Sequence, residues 1–356
     1  PAVPAGAALM SRLIAFLVPA VLVASLDTAP AQPTKKTLVL QYALEATVTS
    51  EQPLRSLAFS PDGKVLAVGA EDLYLFDVSA KAVTPTGTII KSNPPMGKTS
   101  VHAMAFSPNG KFLLFGAGDN SVRIWEVAAK AEAWQAKVHQ KRINAVAFSA
   151  DGRTAATGGS DRTTVVWKVS SDGRLAEDAV IRDEQRDQGV RGLAFIPGKG
   201  GLVVAGDSGS FRTYTLGKDG AKASGGFAPK GSLGGGSVAA NPTVSQWAVT
   251  SGQTVYVVSN AGMPVATLGG PMGHKQRVLD VAYSPDGKLL ASCGQDGEVI
   301  VWEVAGAKSS AKYSKSRPGE FTAVAFSPKA DDGTGDVTLA AGLEGGIIHV
   351  MKLGYR

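Results

Sequence analysis

The sequence predicts an all-β fold of seven repeated, four-stranded antiparallel units, on three observations. A short phrase recurs, its copies are evenly spaced, and each copy alternates strand-like runs with turn residues. The phrase reads LAFSPDGK from Leu57, MAFSPNGK from Met104, VAFSADGR from Val146, LAFIPGKG from Leu193, VAYSPDGK from Val281 and VAFSPKAD from Val324, with a worn copy, VAANPTVS, from Val238. The third residues, Phe59, Phe106, Phe148, Phe195, Ala240, Tyr283 and Phe326, stand 42 to 47 residues apart.

The chain before the first copy divides in two. Met10 to Ala31 carries one cation, Arg12, then an apolar run from Leu13 to Leu26, then Ala29-Pro30-Ala31, the small-x-small pattern of a signal-peptidase site. The run is shorter than the roughly 20 residues of a membrane span. Residues 1–9 precede the first methionine and read as upstream sequence. We therefore expect residues 1–31 to be upstream residues and a signal peptide, and residues 32–356 to form the folded domain. Leu38 to Leu44 then reads as a strand with no unit of its own.

Within a unit, the copy from Val281 to Val304 shows the logic. Val281 and Tyr283 alternate with smaller residues, as a strand does. Ser284-Pro285-Asp286-Gly287 is a turn, in which Pro sets φ and Gly closes the fourth position. Leu289 to Cys293 is a second strand, Gly294 to Gly297 a second turn, and Val299 to Val304 a β-branched third strand. The linker to the next copy has room for a fourth. The unit beginning at Val324 lacks that fourth strand, because the chain stops after its third, Ile347 to Leu353. Gly217 to Gly236 reads as a loose connection around the worn fifth unit.

Composition agrees. The chain has 356 residues, 44% of them apolar, a net charge of +6, 43 Gly and 19 Pro. That excludes a disordered chain, and so much Gly and Pro without a triplet period excludes collagen and coiled coil. A single cysteine, Cys293, excludes an intrachain disulfide framework and a multi-cysteine zinc module.

The third and sixth copies carry an additional set. His139 and His274 each lie nine residues before the strand aromatic; Thr157 and Ser292 sit in the second strand, Asp161 and Asp296 in the next turn, Trp167 and Trp302 in the third strand. With the period, these residues resemble the WD-repeat β-propeller family over nearly all of residues 38–356. The resemblance implies a seven-bladed β-propeller whose ring is closed by the N-terminal strand, Leu38–Leu44, completing the last blade. It also implies that each tetrad forms a buried chain from Asp to His to hydroxyl to indole, in which every polar group finds a partner. The pattern has drifted elsewhere. Gly-His occurs once, as Gly273-His274; Trp-Asp has become Trp125-Glu126, Trp167-Lys168 and Trp302-Glu303; the second copy has Gly97 at the His position, the first has Phe76 for Trp, and the fourth and fifth have Tyr214 and Val257 nearby.

Candidate chemistry is sparse. Asp296, His274 and Ser292 have the composition of a nucleophilic triad, but the resemblance gives the hydroxyl to Trp302, the same set recurs in the third copy, and no G-x-S-x-G elbow is present. His102 and His349 have no His or Cys neighbour at ligand spacing, and Asp331 to Asp336 lacks the spaced acids of a calcium loop and reads as a solvated hairpin. Neither a catalytic residue nor a metal or other cofactor is expected. Charge says more. By the resemblance, the linkers into each first strand form the top face, and they carry Arg55, Lys98, Lys141, Arg142, Arg186, Arg191, Lys275, Arg277, Lys315 and Arg317. A basic ring around the channel mouth would attract anionic ligands, although Asp72, Asp119, Asp161, Asp207, Asp296 and Glu344 come from turns on the same face. Trp134, in the linker after the second blade, is a candidate exposed anchor.

These readings lead to an exported (periplasmic or extracellular) monomeric propeller. It would act as a non-catalytic protein-interaction scaffold or assembly factor that binds an acidic protein, not nucleic acid, within a larger assembly. No membrane span is expected once the leader is removed. Arg55, Lys98, Arg142, Arg191, Lys275, Arg277 and Trp134 are its expected contacts. The alternative is a propeller hydrolase or lactonase with a metal in the central channel.

Overall fold

The computed structural model describes residues 38–50, 53–90, 101–182, 189–198, 200–218, 220–229, 234–259, 261–306, 308–314, 319–328 and 336–355. The expected leader, Lys98, Arg186, Lys315, Arg317 and most of the Asp331–Asp336 hairpin lie outside them.

Strand β1 (Leu38–Thr47) is followed by six consecutive four-stranded sheets. Blade 1 is β2 (Ser56–Phe59), β3 (Val65–Gly69), β4 (Leu73–Val78) and β5 (Val83–Ile90); blade 2 is β6 (Met104–Phe106), β7 (Phe112–Gly116), β8 (Val122–Glu126) and β9 (Ala131–Ala136). Blade 3 is β10 (Ile143–Phe148), β11 (Thr154–Gly159), β12 (Thr163–Val169) and β13 (Leu175–Arg182); blade 4 is β14 (Val190–Ile196), β15 (Gly201–Gly206), β16 (Phe211–Gly217) and β17 (Gly220–Phe227). Blade 5 is β18 (Gly235–Ala240), β19 (Gln246–Ser251), β20 (Thr254–Ser259) and β21 (Pro264–Leu268); blade 6 is β22 (Val278–Tyr283), β23 (Leu289–Gly294), β24 (Glu298–Glu303) and β25 (Lys308–Ser314). Blade 7 has β26 (Phe321–Phe326), β27 (Val337–Leu343) and β28 (Ile347–Tyr355), and β1 supplies its fourth strand.

Contacts between neighbouring first strands run round the whole set and return from β26 to β2, so the ring is closed. The closure strand pairs antiparallel with β28 from Leu38↔Tyr355 to Thr47↔Ile347. Gln41 of β1 also donates to Asp336 (3.1 Å), which pairs with Lys352 (3.2 Å), so Asp336, expected in a solvated hairpin, belongs to the seam. Closure turns the short inner edge of each blade into the channel, where it is shielded from another chain. This is the predicted seven-bladed β-propeller. Among the described residues the sole helix is a 3-10 turn, Gly270–Met272, and none is long and apolar enough to cross a membrane.

The repeated phrase builds each first hairpin. In Ser284-Pro285-Asp286-Gly287, the Ser284 hydroxyl donates to Asp286 (2.6 Å) and accepts from the Leu289 amide (2.9 Å), while Gly287 takes φ +70°. Blades meet through apolar faces, closely enough that a Cβ on Gly116 would lie 2.6 Å from Ile143 of the next blade. The hydrophobic clusters accordingly bridge adjacent blades rather than form one central core.

Three sequence expectations need correction. Gly217 to Gly236 is not simply a loose connection, because Gly220–Phe227 is the outer strand of blade 4 and Gly235 opens β18. Trp134 is not in a linker. It lies in outer strand β9 opposite Ile124 and meets Trp167 edge-on at 5.6 Å, so its ring is spent on packing rather than offered to a partner on the top face. The blade 5 residue at the Trp position is Val258, next to Val257, because it pairs with Trp247 as Trp302 pairs with Leu290.

Candidate functional site

Position in the repeat decides which side chains reach the channel. The residue five before each strand aromatic is a buried apolar anchor: Leu54, Val101, Ile143, Val190, Val278 and Phe321. The next residue is skipped by the ladder in several blades, because the register shifts between Ile143 and Ala145, Val190 and Gly192, Val278 and Asp280, and Phe321 and Ala323. Such a bulge re-aims the unpaired side chain. Here Arg55, His102, Asn144, Arg191, Leu279 and Thr322 occupy this offset, and all line one cavity of about 660 Å³ enclosed by the first strands of all seven blades. Arg142 and Arg277, two residues earlier in their blades, line it as well.

Four of the predicted contact residues, Arg55, Arg142, Arg191 and Arg277, therefore converge. Lys275 does not join them; its Nζ turns back to the Pro271 carbonyl (2.7 Å). Lys98 lies outside the described residues. Arg142 is oriented by Asn144, whose Oδ1 accepts from Nε (2.9 Å) and whose Nδ2 donates to Ser160 Oγ (2.9 Å) and the Val190 carbonyl (2.7 Å). Arg191 pairs with Asp207. Burial, then the charges of Arg191 and Arg55, lower the Arg142 pKa against the opposing pull of Asp207. His102 stands in the same field; burial, then Arg142, Arg55 and Arg191, push its imidazole down to about 3, so it is neutral at physiological pH.

The wall opposite holds one carboxylate. Asp280 accepts from Ser237 Oγ (2.7 Å), its own neighbour's amide, Val281 (2.9 Å), and the Val324 amide (2.9 Å), which ties blades 5, 6 and 7 together. Burial pushes its pKa up to about 6 against the pull of those bonds.

Both tetrads form as expected. In blade 3, the Trp167 indole donates to Thr157 Oγ1 (3.1 Å), the hydroxyl to His139 Nε2 (2.9 Å), and His139 Nδ1 to Asp161 (3.0 Å). In blade 6 the same chain runs Trp302 to Ser292 (2.8 Å), Ser292 to His274 (2.8 Å) and His274 to Asp296 (3.0 Å). Each Asp also accepts a backbone amide, from Gln140 and Lys275 respectively. The hydroxyls are buried and committed on both sides, an arrangement that braces a blade and leaves no nucleophile facing a cleft.

A model of the WD domain, G-beta repeat, matches residues 42–75, 89–126, 134–168 and 262–303. These matches fall on blades 1, 2, 3 and 6, the first beginning within the closure strand, and two of the four blades hold the tetrads. The chain is a seven-bladed β-propeller that carries WD repeats. Among curated proteins it is similar to the periodic tryptophan protein 2 homolog of Dictyostelium discoideum, 33% identical over 84 residues, which is 24% of this chain and 9% of that protein. It is also similar to the U3 small nucleolar RNA-interacting protein 2 of Mus musculus, 36% identical over 67 residues (19% and 14%). Small ribosomal subunit protein RACK1z of Arabidopsis thaliana is 45% identical over 56 residues (16% of each). The matched stretches span a small part of each relative's length.

In this WD-repeat propeller, metal-type ligands in the channel are limited. Among the described channel-lining residues His102, Asn144 and Asp280 are of ligand type, and they lie on blades 2, 3 and 6. The sole close grouping of three His, Cys, Asp or Glu among the described residues is His274, Asp296 and Glu298, outside the channel, where His274 has both ring nitrogens engaged. Sequence reading missed His102, Asn144 and Asp280 as channel residues. The usable signal was the fixed offset of three or four residues before each strand aromatic.

Proposed function

We propose that this protein is a non-catalytic interaction scaffold that docks an acidic protein surface on its basic channel mouth. The observation that carries the reading is the convergence of Arg55, Arg142, Arg191 and Arg277, from four different blades, on one cavity. Like charges gathered around a concave mouth focus the field outward and favour an anionic partner in both encounter rate and register. A protein suits the mouth better than a nucleic acid because the cations converge on a pit; they do not track along a stripe as a phosphate backbone requires. The family resemblance points the same way, and the non-catalytic reading is favoured by tetrads whose hydroxyls are closed off by indoles.

The protein is exported, with the mature chain beginning near Gln32, and works as a monomer inside a larger assembly. N-terminal sequencing of the protein from its native host tests the first point. The docking test replaces Arg55, Arg142, Arg191 and Arg277 together by Glu. Partner capture is expected to be lost while thermal unfolding is unchanged; retained capture, or capture of nucleic acid in place of protein, refutes the reading. Stoichiometric metal with turnover of esters or lactones would support the hydrolase alternative instead.

A further inference from the structure

We propose that the groove between blades 3 and 4, at the end of the first strands remote from the arginines, is a second docking site, and that it takes a proline-bearing, uncharged segment of a partner protein. The inference goes beyond the docking reading, which concerns the mouth. Strand β14 carries Arg191 near its start and Phe195 near its end, so mouth and groove lie at opposite ends of one strand.

Six of the seven copies of the repeated phrase carry proline at the second position of the turn: Pro61, Pro108, Pro197, Pro242, Pro285 and Pro328. Blade 3 alone has Ala150 there. The structure shows what the ring contributes. A Cβ added to Gly110 of blade 2 would lie 3.5 Å from the Pro61 ring of blade 1, and one added to Gly152 of blade 3 would lie 3.3 Å from Pro108 of blade 2, so each turn proline seats against the glycine of the next turn. Between blades 5 and 6, Asn241 closes the junction by donating to the Gly287 carbonyl (2.9 Å). Between blades 3 and 4 the side chain that would do so is a methyl group. In the facing turn of blade 4, a Cβ added to Gly198 would meet no described residue within 4 Å, and one added to Gly200 only the Leu216 carbonyl at 3.9 Å. A groove of about 680 Å³ opens there, with Ala150, Phe195, Leu216 and Pro242 in its lining. Phe195 and Leu216 are half-buried and give it an apolar surface. Its charges balance among the described residues. Lys168 and Lys218 stand against Asp151 and Asp178; Lys168 pairs with Asp178 (2.5 Å), and Asp151 is engaged by Ser149 Oγ (2.6 Å). A charged segment would lose solvation on entry and find no surplus of opposite sign to offset it. A prolyl ring fits because the neighbouring junctions close over one. A proline-bearing segment also arrives extended, with little entropy to lose and no need of a ladder partner, and such segments lie well on aromatic linings.

The test presents the full chain with an array of capped, uncharged octapeptides, each with one central proline among apolar residues, beside twins with alanine in its place. Fluorescence anisotropy should show the best binders at least tenfold tighter than their twins. Ala150→Pro gives blade 3 the ring that the other six copies have. It should weaken those peptides at least tenfold, with thermal unfolding unchanged or raised as the check on folding. Pro242→Glu, at an exposed position of the lining, should weaken them severalfold. The four Arg→Glu changes at the mouth should have no effect. Equal binding of peptides and twins, or indifference to Ala150→Pro in a folded chain, overturns the proposal; should Ala150→Pro fail to fold, unchanged binding by Pro242→Glu overturns it. Loss of binding in the four-Arg variant would place the peptides at the mouth and overturns it as well. Concentration-dependent self-association that Ala150→Pro abolishes would show a second copy filling the groove, and would overturn the assignment to a partner.

Discussion

In blade 6 the Ser292 hydroxyl joins the Trp302 indole to His274 and on to Asp296, whereas in blade 5 the corresponding strand positions hold Val249 and Val258, both buried. The strand aromatic differs in the same way, Tyr283 in blade 6 but Ala240 in blade 5. Volume has moved one strand over, since Trp247 stands opposite both Ala240 and Val258, where blade 6 has Leu290, and packs edge-on against Phe211 of blade 4 at 6.0 Å. At these strand positions one blade is braced by a satisfied polar chain and its neighbour by apolar packing. The pair shows that the tetrad is one solution among several. Replacing all the partners of a buried network by apolar groups is tolerable, while removing one partner is not.

The largest effect should come from blade 5. Trp247→Ala leaves a cavity in a blade that has no tetrad, and an expected loss of about 3–5 kcal/mol should appear in chemical denaturation. Blade 6 comes next. Trp302→Phe or Ser292→Ala should each cost about 1–3 kcal/mol by orphaning a buried partner, and the double variant should cost less than the two together. Additive losses would show that the two groups are not coupled.

Acid should separate the two blade types further. His139 has its pKa lowered by burial, against the pull of Asp161, so the folded state resists protonation that the unfolded chain accepts below about 6.5. That contribution is present above this value and is lost as pH falls toward the folded pKa. Burial works against the ionised forms of Asp161 and Asp296. Bonds from Thr163 to the first and from His274 to the second, with the neighbouring charges and amides, outweigh it and hold both below the ordinary 3.8. Their contribution is present above that value and lost as pH falls below it. Stability measured from pH 7 to 3 should therefore fall in two stages, the first carried by His139 and His102 against the opposing protonation of Asp280, and Thr157→Val with His139→Leu should remove the His139 share of the first.

The smallest effect sharpens the comparison most. Trp125 in blade 2 occupies the indole position, but Phe115 replaces the hydroxyl residue and the indole nitrogen is buried without a hydrogen-bond partner among the described residues. Trp125→Phe should shift stability by no more than about 0.5 kcal/mol, against the larger loss at Trp302. An equal loss at both sites would mean that ring volume, not the hydrogen bond, accounts for the Trp302 effect.

Much of this architecture is legible in the sequence because turns and period are local signals. Ser-Pro-Asp-Gly states its own geometry, and Leu38–Leu44 was conspicuous as a strand without a unit. The failures have a common cause. Trp134 and the strand at Gly220–Phe227 belong to outer strands, where pairing with the third strand sets register and local pattern is weak, and Val258 is fixed by its pairing with Trp247. The arginines of the mouth were found through their linkers, but their convergence depends on bulges and on ring geometry. His102 and Asp280 were hidden because a residue in a strand gives no sign of facing a channel until the offset from the strand aromatic is compared across all seven repeats.

The pairing of Leu38 with Tyr355 also fixes an order of events. During synthesis, blade 7 must wait until β28 emerges before it can be completed by a segment made more than three hundred residues earlier. Until then β1 has no partner strand, and the toroid stays ajar. Contacts so distant in sequence form slowly, so the seam is the step at which a holdase or a competing strand would find this chain most receptive.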